Sequence, residues 1–236
     1  MSVLAHLRQA GKSSQMGTDQ HREPVVMWGA GGHATVVAES IHSIPGFVLA
    51  GVLVDPVWIA SAKASLAHLV IGGMEQLPVL RDRGIRHAVV AVGQNDARVE
   101  ISQSLIAHGL SLPSLVSPSA RVSPSATIGD GSVVLPGAII NADARIGRFC
   151  IINTGAIVEH GVELGDGVHV CPRAVLAGDV KVGTRTWIGL GAVVIEKLTI
   201  GSGTMIGAGA VVVDNVPSDV VAFGVPARIK RQQNQR

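Results

Sequence analysis

The chain has 236 residues, 47% of them hydrophobic but only 3% aromatic, with no tyrosine and a net charge of +2. So small a charge, with no basic stripe interleaved by aromatics, excludes a nucleic-acid binder. No apolar run approaches the roughly 20 residues of a membrane span, and two cysteines are too few for a disulfide framework.

Residues 1–23 are polar, mixed in charge and without the apolar core of a signal peptide, and read as a flexible arm. A cytoplasmic setting is expected from this and from the cysteine usage. From Pro24 the grammar changes. Val25 to Trp28 is a short apolar strand, Gly29-Ala30-Gly31-Gly32-His33-Ala34 a glycine turn, and Thr35 to Ile41 a helical pattern. Strand, glycine turn and helix start form a phosphate cradle, because glycines admit a close ligand and the helix N-terminus offers free N–H groups. The same pattern also suits a tight turn with no ligand. A second strand, Val48 to Val54, ends at Asp55, near the spacing expected of a ribose-binding carboxylate. Gly72-Gly73 closes a loop, Met74 to Arg83 is helical, His87 to Val92 is a strand and Arg98 to His108 a helix. Residues 24–112 are thus expected to form a small α/β domain with a parallel sheet. It is half of a dinucleotide fold, which suits one nucleotide better than NAD. The stretch from Leu112 to Pro124, rich in proline and serine, reads as a hinge.

Beyond it, every sixth residue from Val122 to Val212 is Val, Ile or Leu. A second series two residues earlier, from Ala120 to Ala210, is small or apolar. Residues two apart in an extended chain share a face, so both series point to one interior. Gly129, Gly147, Gly165, Gly183 and Gly201 add a beat of eighteen. Eighteen is three sixes, so the chain turns back to the same corner after three short strands. This predicts a three-sided parallel β-helix over residues 113–216. It would have about five coils stacked at about 4.8 Å, with the beat glycines at corners of positive φ. Outward Val133, Ile139, Ile151, Ile157 and Val175 leave apolar surface to be covered by another subunit.

His160 and His169 are the only histidines of the prism. Both fall outside the inward series and are expected at its surface. Eighteen-residue stacking puts Gly178 directly over His160. An imidazole beside a bared backbone N–H is what acyl transfer needs, as base and oxyanion donor. For Asn153 a second explanation is a left-handed corner, where Asn follows Gly in preference.

The glycine turn through His33, together with Ile151-Ile152-Asn153-Thr154-Gly155, Val158-Glu159-His160 and Ala177-Gly178-Asp179-Val180-Lys181-Val182-Gly183, resembles the hexapeptide-repeat sugar acetyltransferases. The family includes sialic acid O-acetyltransferases and N-acetyltransferases of nucleotide-linked 4-amino sugars. The resemblance implies a left-handed β-helix, acetyl-CoA as co-substrate, no metal, a homotrimer and a role in surface-polysaccharide synthesis. It implies His160 as the base. Gly31, Gly32, His33, Asp55, Gly72 and Asn153 would hold the nucleotide-linked amino sugar. His169, Gly178, Gly189, Gly207, Pro226 and Arg228 would hold acetyl-CoA. The Gly224-Val225-Pro226-Ala227-Arg228 segment opens the expected CoA-binding C-terminal part, residues 217–236. One departure stands out: the family's carboxylate after the catalytic His is Gly161 here, leaving Glu159 or Glu163, or a backbone carbonyl, to orient the ring. Sugar O-acetylation and a non-catalytic trimeric scaffold are the alternatives. A metal-dependent hydratase on this fold needs three histidine ligands, and the prism supplies two per chain.

Overall fold

A computed structural model describes residues 22–233. Apart from Arg22 and Glu23, the expected arm lies outside the described residues, and Glu23 opens the first strand. The α/β domain runs β1 (Glu23–Trp28), α1 (Gly32–Ser43), β2 (Phe47–Leu53), a 3-10 turn (Pro56–Ser61), α2 (Ala64–Ala67), β3 (Val70–Gly72), a second 3-10 turn (Met74–Gln76), α3 (Leu77–Asp82), β4 (His87–Val90) and α4 (Asn95–Ala107). Its sheet order is β3-β2-β1-β4, all parallel. Val25, Val26, Val52, Leu53 and Val89 are buried on both faces, as near-continuous apolar strands of a parallel sheet should be. The loop expected at Gly72 is instead the end of β3, an edge strand too short to show a period.

The second unit is the left-handed parallel β-helix. Its three flat faces are sheets of eight, six and five strands, with rungs two residues long from Leu115–Val116 to Val211–Val212. Coils register eighteen apart, as in Ile151↔His169, Ile157↔Val175 and Glu163↔Lys181. The proline- and serine-rich stretch is no hinge. Leu115–Val116 and Arg121–Val122 already pair with Val133–Val134 and Ile139–Ile140, so the first coil starts there. At the other end Val220–Phe223 caps the stack in parallel, and Arg228–Gln232 folds back antiparallel on it.

The beat glycines have a different cause from the one expected. None of the five has positive φ. The left-handed position recurs every six residues elsewhere: Gly131, Gly137, Asp143, Phe149, Gly155, Gly161 and onward to Gly209. A side chain at Gly147 would meet the backbone of Gly165 at 2.7 Å, and one at Gly129 the backbone of Gly147 at 2.7 Å. Those glycines are required because stacked coils touch backbone to backbone. Asn153 is likewise not at a left-handed corner; Gly155 is.

The three faces differ in character. The first carries outward Leu115, Val133, Ile151 and His169, all buried beneath the α/β domain. Leu115, Val133 and Leu135 belong to that domain's own core, with Val25, Val37 and Val89. Val133 and Ile151 are therefore covered within the chain and are not available to another subunit. The second face presents Ile139, Ile157, Val175, Val193 and Val211, and its central rungs are only partly buried. The third is a charge ladder in which Glu163 meets Arg145 at 2.9 Å and Lys181 at 3.4 Å.

Candidate functional site

The expected His160–Gly178 pair is present. His160 lies at the corner between the second and third faces, exposed, with its carbonyl accepting the Asp179 N–H at 2.9 Å. A Cβ placed on Gly178 would stand 2.6 Å from the ring Nε2, so the imidazole rests on the Gly178 backbone. The Gly178 carbonyl accepts from Lys197 at 2.9 Å, whereas its N–H has no hydrogen-bond acceptor among the described residues. Neither Glu159 nor Glu163 pairs with the ring; Glu163 is engaged by Arg145 and Lys181. Gly161 has φ 66, and the carboxylate of Asp179, one coil on, fills the space a side chain at 161 would take. Glycine stands there because a left-handed backbone and a neighbouring carboxylate leave no room for Cβ.

His169 departs from expectation. It is 4% exposed rather than at the surface, closed in by Trp187 at 4.4 Å between ring centroids and by His33 at 6.2 Å. Its hydrogen bonds fix its tautomer. Asn153 Oδ1 accepts from Thr154 N at 2.8 Å, so the amide nitrogen is the atom that donates to His169 Nε2, at 3.0 Å. Nδ1–H then points at the Gly93 carbonyl at 3.4 Å. Burial, then the charge of Arg98, then His33 lower the His169 pKa to about 3. Burial and Arg98 lower that of His33 to about 4.

Arg98, which sequence reading passed over, holds the two units together. It is 1% exposed. Its guanidinium donates to the carbonyls of Phe149 (2.8 Å), Gly167 (2.7 Å), Val92 (3.1 Å) and Gly93 (2.9 Å), and to Asn95 Oδ1 (2.8 Å). Carbonyls of the prism and of the α/β domain thus share one cation. The signal was an arginine on the face of α4 that also carries Ser102 and Leu105, both fully buried.

The glycine turn lines a cavity of about 540 Å³ with Asp55, Trp58, Val92, Gly93, Ala97 and Ile101. Gly31 has nothing within 4 Å of where its Cβ would be, and Gly32 only the end of Lys63, so a ligand can reach the start of α1. His33 lines the cavity, and its Nε2 is buried without a partner. Gly72 stands apart from this cavity. Its carbonyl accepts from Val54 at 2.9 Å, and its φ of 132 serves the turn into Gly73.

Gly189 and Gly207 lie above Asn153 and Cys171 in one corner column, between the first and second faces. A Cβ on Gly189 would meet Gly207 at 2.5 Å. Arg228 pairs with Asp214 at 3.3 Å, beside an exposed Pro226. Within one chain, then, the predicted residues of the prism form two groups. His160 and Gly178 share one corner; Asn153, His169, Gly189 and Gly207 share the next.

Residues 24–105 match the PglD N-terminal domain, and residues 143–178 the bacterial transferase hexapeptide (six repeats) model. An alanine mutant of GDP-perosamine N-acetyltransferase from Caulobacter crescentus, solved with CoA and GDP-perosamine, is 43% identical over 88% of this chain and 96% of its own, with a TM-score of 0.82. The acetyltransferase domain of PglB from Neisseria gonorrhoeae FA1090, in complex with acetyl coenzyme A, is 35% identical over 89% of this chain and 100% of its own, with a TM-score of 0.80. No curated protein sequence matches the chain. With the imidazole–amide pair, the glycine-turn cavity and this degree of identity in hand, the chain belongs to the hexapeptide-repeat, acetyl-CoA-dependent sugar acetyltransferases of the perosamine N-acetyltransferase and PglD type.

Proposed function

We propose that the protein transfers the acetyl group of acetyl-CoA to the amine of a nucleotide-linked 4-amino-4,6-dideoxy sugar for surface-polysaccharide synthesis. The observation that carries this reading is the His160 imidazole seated on Gly178, whose N–H is bare. The amine attacks the thioester carbonyl and His160 takes its proton. The Gly178 N–H stabilises the resulting oxyanion. Collapse breaks the C–S bond, and His160 returns the proton to the departing CoA thiolate.

The nucleotide fits the α/β cavity, with its phosphates at Gly31, Gly32 and the start of α1 and its ribose at Asp55. The partnerless His33 Nε2 supports a polar ligand there. The second face supports a homotrimer. It is the flat apolar face, and it is bordered on one edge by the Asn153 column and on the other by His160. Three such faces turned to one axis would bring each His160–Gly178 corner against the next subunit's Asn153, His169, Gly189 and Gly207. Acetyl-CoA would then run along that groove towards Pro226 and Arg228.

The test is thiol release from acetyl-CoA with GDP- and UDP-linked 4-amino sugars, with mass-spectrometric location of the acetyl group. Turnover by wild type and a fall of about 100- to 10,000-fold in His160→Ala are expected. Equal background rates in both proteins would reject catalysis, and acetyl found only on a hydroxyl would reject N-transfer.

A further inference from the structure

We propose that Trp58 is the platform on which the nucleobase stacks, held in the first turn of the 3-10 segment that Asp55 caps. The proposal rests on the reading that the α/β cavity takes the nucleotide of the substrate.

A 3-10 helix has three residues per turn, so side chains at i and i+3 eclipse. The cavity is lined by Asp55, Trp58 and Ser61, and not by Val57 or Ile59 between them. Trp58 and Ser61 therefore share one side of the turn, and Asp55, its N-cap, lines the same cavity with one carboxylate oxygen accepting from Val57 N–H at 3.1 Å. In chain order the ribose acceptor comes first and the flat apolar surface next. The indole is 62% exposed, in contrast to Trp28 at 7%, and no ring or cation of the described residues stacks on it. Its backbone is nevertheless fixed. Trp58 N–H donates to Asp55 O at 2.8 Å, Ser61 Oγ donates to Trp58 O at 2.9 Å, and Lys63 N–H donates to Ala30 O at 2.9 Å. The last bond ties the turn to the glycine loop, so the indole keeps its place relative to the phosphate end. Ala97 and Ile101, one helical turn apart on α4, also line the cavity and give it further apolar wall for a planar base. A large π-surface left in water within a site otherwise built for a nucleotide is best used by stacking.

The experiment is titration of wild type, Trp58→Ala and Trp58→Phe with GDP, UDP and inorganic pyrophosphate, by calorimetry and tryptophan fluorescence. The expected result is quenching of wild type by the nucleotides. GDP affinity should weaken about tenfold or more in Trp58→Ala and much less in Trp58→Phe, with pyrophosphate affinity unchanged. Light scattering on the same samples reports assembly. Wild-type GDP and UDP affinities retained in Trp58→Ala overturn the platform, and an altered mass with that result assigns the indole to a subunit contact. Absence of any nucleotide binding by wild type overturns the nucleotide reading itself, and the platform with it. Because the side chain is exposed, the variants are expected to fold, which circular dichroism checks.

Discussion

Cε1 and Nε2 of His160 occupy the space that a side chain on Gly178 would need. The two residues are eighteen apart in sequence and one rung apart in the prism, so the spacing of the coils sets the spacing of the proposed base and the proposed oxyanion donor. A methyl at 178 would push the ring off the peptide. Because His160 is exposed, the ring can swing into solvent without disturbing the coil. Gly178→Ala is therefore expected to change the unfolding free energy little, by less than about 1 kcal/mol. It should lower kcat by about 100-fold or more, the scale of losing an oxyanion donor and its aligned base. Steady-state kinetics beside a urea titration checks both halves.

A charge on the second face tests assembly. Val175 sits mid-ladder between Ile157 and Val193. Val175→Asp leaves the prism interior intact, since the inward residue of that rung is Leu176. Light scattering is expected to give three chain masses for wild type and one for the variant, and turnover is expected to fall with the mass, because each corner would lose its neighbour. A monomeric wild type would reject the trimer.

Acid should weaken the join between the units. His169 and His33 stay neutral in the folded protein down to about 3 and about 4, while in the unfolded chain each takes a proton below about 6.5. Between those values the unfolded state binds more protons, so stability is full above about pH 6.5 and falls as pH drops towards 4. Each ring contributes a slope of about 1.4 kcal/mol per pH unit in that window. Urea midpoints at pH 7, 5.5 and 4.5 should show the decline, and His169→Asn should remove about half of the part due to these two rings. Parallel pH profiles for the two proteins would refute the assignment.

The prism was legible because its interior is one residue thick. A slot that accepts only small and aliphatic side chains, met every six residues, writes itself into the sequence, and the eighteen-residue coil does the same for the stacking of Gly178 on His160. The role of the beat glycines was not legible, since a glycine required for φ and one required for close packing look alike until coils are stacked. His169 was misplaced for a related reason. Alternation says that a side chain leaves the prism, not whether another unit covers it, and here the α/β domain does. Arg98 was missed because its acceptors beyond its own helix are backbone carbonyls of Val92, Gly93, Phe149 and Gly167, which every residue type possesses.

The order of residues alone determined the coil, its register and the imidazole–amide pair, because these depend on contacts at fixed sequence separations within one repeating unit. Tertiary structure decided which face is covered and which histidine is buried. Those outcomes depend on how the α/β domain docks on one face of three, and its docking contacts, such as Arg98 to Phe149 and Gly167, join distant parts of the chain through groups that carry no sequence signature.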